Sequence, residues 1–332
     1  MYSCGGDVKT TEDVTVGTEV AKAAESEQTL AFKEVNALLK GEINNPALYL
    51  KRSKLYMKYG DLSSAVDDLD RAIGIDSTAP EYYLLKAELL KNQDKLKESK
   101  EVLDKCLNLD NENLNARIEL GWLALVSRNY KQALDYADAV LKRDVYNAEA
   151  YFLKGMIFED KGDTVRAISS YVTAIEQEND YYEAYMQVGL LSFDTEQKLG
   201  KEFIKNALRV KPESMEALYA YAMVCQESGE YNESIETYYK ILSIKEFREP
   251  YFNLGFIHQE YLKVYDVAIE HYTSAIRIEP KYIDAYYNRA LCYEQLDQPK
   301  KAVADLKIAL KLNPQYTEAA ILMGRILKNN AL

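Results

Sequence analysis

The stretch EAYFLKGMIFEDKGDTVRAISSYVTAI, residues 149–175, decides the fold of this chain. Apolar residues recur in it every three or four positions in two runs, which is typical of two amphipathic helices. Gly155 lies inside the first run, where glycine costs a helix about 1 kcal/mol relative to alanine. Close approach of a second helix explains such a glycine, because a residue without a side chain lets two backbones come together.

Gly155 has small counterparts along the chain at a spacing close to 34 residues. Repeats that begin at residues 46, 80, 114, 148, 182, 215, 248 and 283 carry a small eighth residue: Ser53, Ala87, Gly121, Gly155, Gly189, Ala222, Gly255 and Ala290. Twelve positions later, after one deletion in the fifth repeat and one insertion in the seventh, stand Ala65, Ser99, Ala133, Ala167, Gly200, Ser234, Ala268 and Ala302. The two columns predict that each repeat is a helical hairpin with one close crossing.

Glycine followed by an acidic residue separates the two helical runs in several repeats, as in YGDL (59–62), KGDT (161–164) and SGEY (228–231). Aromatic or large apolar residues fill the fourth and twenty-fourth places, and three repeats end in proline, at Pro212, Pro280 and Pro314. This pattern resembles the tetratricopeptide repeat (TPR) over residues 46–316. The resemblance implies an all-α fold, a right-handed superhelical solenoid of eight TPR helical hairpins.

The two ends of the chain differ from the repeats. Residues 317–332 repeat the first-helix pattern, with Gly324 in the eighth place, and are expected to form a capping helix. Residues 27–45 predict a leading helix that packs on the first repeat or folds back into the groove. Residues 1–26 lack helical periodicity and predict a flexible tether.

Composition argues against several classes of function. The net charge of −12 disfavours a nucleic-acid partner, because affinity for phosphate comes largely from Lys and Arg. No apolar stretch approaches the length of a membrane span. The chain has two histidines, His258 and His271, and lacks the motifs of metal, nucleotide or nucleophilic sites. We therefore expect no enzyme activity, no metal and no cofactor, with Cys106, Cys225 and Cys292 in the core.

Cys4 stands in MYSCGGD, which resembles the junction of a bacterial lipoprotein, where a small residue precedes the acylated cysteine. The basic and hydrophobic parts of a signal peptide are absent from the three residues before it. Two alternatives remain open at this point. If Cys4 is acylated, the chain is a TPR lipoprotein anchored in the bacterial cell envelope; if Cys4 is incidental, the chain is cytoplasmic.

The resemblance also implies a binding groove, because the first helices of TPR hairpins line the concave face with their second, fifth, ninth, twelfth and thirteenth residues. From the third repeat onward the fifth and ninth places are all apolar or aromatic. The candidate groove residues in these places are Trp122, Phe152, Met156, Met186, Leu190, Tyr219, Met223, Phe252, Phe256, Tyr287 and Leu291. Such a column marks a ligand groove or inter-helix packing, and the pattern favours the groove.

The second place is mostly acidic, with Glu81, Glu149, Glu183, Glu216, Glu249, Asp284 and Glu318. These acids either complement the helix dipole or form a rim that selects basic partners. The sequence therefore predicts a non-catalytic scaffold that binds an apolar, neutral-to-basic segment of another protein or peptide. The alternative is a membrane-anchored envelope lipoprotein that acts as a structural assembly factor, its only membrane contact being an acylated Cys4.

Overall fold

The computed structural model describes residues 27–193 and 195–330, and within those ranges it contains helices and turns but no strand. Cys4 and the predicted tether lie outside the described residues. Helix α1 covers 27–41, four residues short of the predicted end, because a turn over 42–45 leads to Asn45, which caps the next helix. None of the described helices has the length and apolar character needed to span a membrane.

Paired helices follow one another along the rest of the described chain. The hairpin helices are α2 (Pro46–Lys58), α3 (Leu62–Ile75), α4 (Pro80–Asn92), α5 (Leu96–Leu109), α6 (Leu114–Val126), α7 (Tyr130–Leu141), α8 (Ala148–Asp160), α9 (Thr164–Gln177), α10 (Tyr182–Phe193), α11 (Gln197–Val210), α12 (Met215–Glu227), α13 (Tyr231–Ile244), α14 (Arg248–Phe256), α15 (Tyr265–Ile278), α16 (Ile283–Gln295) and α17 (Pro299–Leu312). Helix α18 (Thr317–Asn330) follows the last hairpin. The predicted all-α solenoid of helical hairpins is confirmed.

The chain forms two compact units, unit 1 up to Ile157 and unit 2 from Phe158. The core of each unit is a series of clusters at the junctions of successive hairpins. In unit 1, Leu69 and Leu103 in the twenty-fourth place are fully buried; in unit 2, Tyr171, Tyr238 and Tyr272 are buried in that place. Burial of such side chains contributes about 1.5 to 3 kcal/mol each, so this column supplies a large part of the packing energy.

The small residues in the eighth and twentieth places meet inside their hairpins. Where one of them is serine, its hydroxyl donates to the backbone carbonyl of the other, from Ser53 to Ala65 and from Ser234 to Ala222, each at 2.8 Å. In the fifth repeat both are glycines. A Cβ on Gly200 would lie 2.7 Å from the carbonyl oxygen of Gly189, so the two backbones leave no room for a side chain.

In seven of the eight hairpins the described turn contains a residue in the left-handed conformation. Gly60 and Gly162 have φ of +84° and +75°, and the aspartates that follow them accept a hydrogen bond from the next helix. Where glycine is missing, other residues take the same conformation, including Arg128 at +54° and Asp297 at +53°. The backbone of the turn is thus common to the repeats, while glycine is only the residue that adopts it most readily.

The insertion in the seventh repeat forms a π-helix, Ile257–Tyr261, that continues α14. A π-helix accommodates one extra residue without breaking the helix. It places His258 next to His271 of α15, with the ring centroids 5.2 Å apart. Burial, together with the nearby His258, lowers the pKa of His271 from 6.5 to about 4, so the folded protein holds this imidazole neutral.

We expect the stability of the protein to fall as the pH drops through the range between these two values. The unfolded chain takes up a proton on His271 near its usual pKa, while the folded chain does not, so protonation favours unfolding. The free energy of unfolding should decrease by about 1 to 2 kcal/mol from about pH 6.5 to about pH 5, above the range where most carboxylates titrate. Urea melts across this range measure the slope. A His271→Gln variant that keeps the same slope would show that another group causes it.

Two buried ion pairs stabilise the first and last repeats. Arg52 binds Asp68 through two of its guanidinium nitrogens, Nε and Nη2, at 2.6 and 2.7 Å. Arg289 binds Asp305 in the same way, at 2.7 and 2.8 Å. In both repeats the arginine stands in the seventh place and the aspartate in the twenty-third. The repeat pattern alone did not reveal this pairing.

The ends of the described chain pack on their neighbours. Val35 and Leu39 of α1 are buried in a cluster with Tyr49 and Leu69 of the first hairpin. At the other end, Leu322 and Ile326 of α18 are buried against the last hairpin. A Cβ on Gly324 would meet nothing within 4 Å, so among the described residues no helix packs against α18 at its eighth place. Cys106, Cys225 and Cys292 are buried free thiols, as predicted.

Candidate functional site

A pocket of about 490 Å³ lies in unit 2, against the first helices of the fifth and sixth repeats. Its lining is mostly apolar. The lining residues are Met186, Leu190 and Phe193 of α10 and Glu216, Tyr219, Ala220, Met223, Val224 and Glu227 of α12. Four of the eleven predicted groove residues, Met186, Leu190, Tyr219 and Met223, therefore meet at one place.

Helical spacing brings these side chains together. On α12, Glu216, Tyr219, Met223 and Glu227 stand three or four residues apart, so they form a single stripe along the helix. On α10, the three lining residues have the same spacing. Because α11 reverses the chain between them, α10 and α12 run in the same direction and their stripes lie side by side.

The pocket combines a buried floor with an exposed wall. Met186 is only 3% exposed, whereas Leu190 is 47% exposed. Tyr219 and Met223 are half-buried. Because nearly half of Leu190 is exposed, the wall offers apolar surface to another molecule.

A hydrogen-bond network behind the pocket contacts Tyr219 and Met223. The Asn253 amide donates to the hydroxyl oxygens of Tyr219 and Tyr238, at 3.0 and 2.9 Å. The Tyr238 hydroxyl lies 3.1 Å from the Met223 sulfur, and the rings of Tyr219 and Tyr238 meet edge to face at 6.0 Å. Burial raises the pKa of Tyr238 well above its usual value. This network links the seventh repeat to the pocket and restricts the rotamers of two lining residues.

Carboxylates stand at both ends of the α12 stripe. Within the described ranges neither Glu216 nor Glu227 forms an ion pair, and Glu216 accepts only a long hydrogen bond, 3.5 Å, from Tyr182. In contrast, Glu183 in the same column of the fifth repeat pairs with Lys211 at 2.8 Å. The pocket therefore has an apolar centre and negative ends.

The remaining groove candidates of unit 1 pack on one another. The rings of Trp122 and Phe152 are 6.0 Å apart, and Phe152 is buried. The Trp122 indole NH donates to Glu149 at 3.4 Å. Met156 packs against the same cluster as Trp122. A separate cavity of about 380 Å³ in unit 1 lies among Leu84, Ile118 and several glutamates, so the concave residues of this unit are more polar.

The candidates of the later repeats in unit 2 are each in contact with a neighbouring aromatic ring or cluster. Phe252 lies 5.1 Å from Tyr282, and Phe256 lies 5.9 Å from Tyr261 of the π-helix. Tyr287 lies 5.1 Å from Tyr316, and Leu291 packs on the last cluster. Packing within the protein therefore covers part of the surface of these four side chains.

Sequence reasoning missed four lining residues, Phe193, Ala220, Val224 and Glu227, and it named Glu216 only as an acid of the second place. A signal for some of them was present. Phe193 and Glu227 occupy the twelfth and thirteenth places, and Glu216 the second, all of which the family resemblance directs into the groove. Ala220 and Val224 stand in the sixth and tenth places, and only the packing of α10 beside α12 brings them to the pocket.

One group of side chains in unit 2 has the composition of a metal site. Ligand atoms of Cys225, Glu230 and Glu233 lie within 4.8 Å of one another. Lys201 donates to both carboxylates, and the Tyr221 hydroxyl donates to Glu233. Hydrogen bonds from Tyr221 and Lys201 lower the pKa of Glu233 to about 2, while burial raises that of the Cys225 thiol to about 11. One ammonium group thus already pairs with both carboxylates, and the thiol stays protonated.

Comparison with known proteins places the repeats in one family. Models described as tetratricopeptide repeat match residues 80–113, 118–183, 216–247 and 283–316, and a model described as TPR repeat matches 263–297. Human protein O-mannosyl-transferase TMTC3 is 28% identical over 228 residues, which are 65% of this chain and 24% of that protein. Human DnaJ homolog subfamily C member 7 is 27% identical over 188 residues, 55% of this chain and 33% of that protein.

The chain thus spans a quarter to a third of the length of these relatives. Among solved structures, a monomeric mutant of IFIT1 with Gppp-AAAA aligns with a TM-score of 0.53 at 16% identity, covering 89% of this chain and 78% of that one. This likeness concerns the fold alone. The family matches, together with the repeated hairpins, show that the chain belongs to the tetratricopeptide repeat family.

Proposed function

We propose that this chain is a non-catalytic scaffold that holds an apolar segment of another protein in the pocket lined by α10 and α12. The observation that carries the proposal is the exposed apolar wall at Leu190 above the buried floor at Met186. Grooves that bind a segment of another protein offer apolar surface to its anchoring side chains and polar groups around that surface. The pocket has both properties.

The chemistry of the lining supports binding over catalysis. Its two carboxylates, Glu216 and Glu227, stand eleven residues apart on one helix, which is about 16 Å along the axis. Carboxylates that cooperate in glycoside hydrolysis lie no more than about 9.5 Å apart. The transferase activity in the name of TMTC3 belongs to that protein, and the mostly apolar lining described here favours an interaction surface.

We expect Leu190→Asp to weaken binding of the natural partner by about 10- to 100-fold, because a carboxylate facing an apolar segment loses its water without gaining a partner. Stability should change by no more than about 0.5 kcal/mol, since Leu190 is 47% exposed. The matched control is Val165→Asp, which places the same charge on α9, where Val165 is 79% exposed.

The partner segment can be identified with a photo-crosslinking amino acid at position 190. Mass spectrometry of the crosslinked product gives the sequence of the segment in the pocket, and a purified peptide of that sequence then gives affinities for the variants. A crosslinked segment without apolar residues, or a peptide that binds Leu190→Asp and the parent equally, would contradict the proposed function.

A further inference from the structure

The acidic ends of the pocket define its occupant more closely. Resting on the proposed function, we propose that the bound segment is an amphipathic helix whose apolar stripe has a Lys or Arg at each end, about three turns apart. Glu216 and Glu227 would pair with these two cations, while the pocket between them takes the apolar side chains.

The spacing of the two carboxylates favours a helix. Eleven residues correspond to almost three turns, so Glu216 and Glu227 lie on the same side of α12. A second helix aligned along α12 presents residues i, i+4, i+7 and i+11 on one side, and its first and last residues are eleven positions apart, as Glu216 and Glu227 are. Cations at the first and last of these positions therefore meet the two carboxylates, and apolar residues at the middle positions meet Tyr219 and Met223.

An extended segment fits the same distance poorly. Five residues of a strand cover about 16.5 Å, but side chains five positions apart point to opposite sides of the strand. Side chains four or six positions apart point to the same side of a strand, but their separation differs from that of Glu216 and Glu227 by about 3 Å. A helix therefore satisfies distance and direction together.

The charges of the pocket favour cations at both ends. Glu216 and Glu227 have no ion pair within the described ranges, whereas other acids at the second place, Glu81, Glu183 and Glu249, already pair with a lysine or arginine of this chain. When a segment binds, the apolar lining beside Glu216 and Glu227 helps to exclude water from the two carboxylates. Less water around them strengthens their attraction for a cation. A segment with acidic ends would be repelled.

The test uses the full chain and fluorescein-labelled synthetic peptides of about 16 residues on an alanine-rich helical background. The first peptide has Lys at positions 2 and 13 and Leu at positions 6 and 9. The second has Gln in place of both lysines, and the third has the lysines of the first together with Pro at position 7. Fluorescence anisotropy measures each affinity at low and at physiological salt.

The pocket variant carries Glu216→Gln and Glu227→Gln together. The control variant carries Glu202→Gln and Glu236→Gln together. Glu202 and Glu236 are exposed on the second helices α11 and α13, outside the pocket lining, so the control makes the same change in net charge. We expect the lysine peptide to bind the parent and the control about five- to tenfold more tightly than it binds the pocket variant, with the difference reduced by salt. The glutamine peptide should not distinguish the three proteins.

Equal binding of the lysine and glutamine peptides to the parent would overturn the two-cation inference and leave the proposed apolar pocket in place. Binding of the proline peptide as tightly as the lysine peptide would overturn the helical occupant. If no peptide binds the parent, this inference fails, and crosslinking at position 190 decides the proposed function separately.

Discussion

Gly200→Leu is expected to lower the free energy of unfolding by about 3 kcal/mol or more. A Cβ at this position would lie 2.7 Å from the Gly189 carbonyl oxygen and 2.8 Å from the Phe193 Cα. These are backbone atoms, so a side chain can enter only if α10 and α11 separate. Gly200→Ala should cost less, about 1 to 2 kcal/mol, because alanine's helix propensity offsets part of the overlap.

Urea melts of Gly324→Ala provide the control for the same unit. Gly324 lies inside α18, and a Cβ there meets nothing within 4 Å. That variant should therefore gain about 0.5 to 1 kcal/mol from helix propensity alone. If Gly200→Leu and Gly324→Ala were equally stable, the close crossing of α10 and α11 would not exist in solution. Because Phe193 also lines the pocket, the Gly200 variants should weaken peptide binding as well.

Arg289→Leu is expected to cost about 3 to 5 kcal/mol, because it leaves the carboxylate of Asp305 buried without a counter-charge. Asp305 is 5% exposed and binds the guanidinium through both oxygens, at 2.7 and 2.8 Å. The same guanidinium donates to Thr273 of α15 at 2.8 Å, so the substitution also removes a contact between the last two hairpins. Thermal or urea unfolding of the purified variant measures the loss.

Two further variants separate the buried charge from simple loss of a side chain. Replacing Asp305 by Leu together with Arg289→Leu should recover most of the stability, because no uncompensated charge then remains. Arg325→Leu makes the same substitution in a pair with Glu294 whose arginine side chain is 57% exposed, and should cost about 0 to 1 kcal/mol. A cost for Arg289→Leu no greater than that of Arg325→Leu would mean that the Asp305 carboxylate is well hydrated.

The candidate site is built from side chains of three successive repeats. The fifth and sixth repeats supply the parallel stripes of α10 and α12, and Asn253 in the seventh repeat fixes Tyr219 from behind. The proposed binding therefore arises from three successive hairpins, each of which contributes a few side chains. In a repeat protein, where contacts are mostly between neighbours, this is how a surface larger than one repeat is built.

The sequence by itself determined the helical hairpins. Small residues at fixed places, such as Ser53 with Ala65, can recur through eight repeats only if each pair meets at a crossing, and the serine hydroxyls confirm that they do. The turns were predictable where glycine marked them, as at Gly60 and Gly162. They were less evident at Arg128, because packing of the two helices imposes a backbone conformation that the residue itself disfavours.

The tertiary structure alone decided which apolar residues are available to a partner. Periodicity places Trp122 and Leu190 in the same column, but it does not show that Trp122 packs against Phe152 while Leu190 is left 47% exposed. That distinction depends on the neighbouring repeat, whose side chains are remote in sequence. The same reason explains why the Arg289 and Asp305 pair was missed, and why the sequence did not show that Glu216 and Glu227 have no ion pair within the described ranges. Ion pairing is set by which residues face one another across helices, and spacing along one helix does not contain this information.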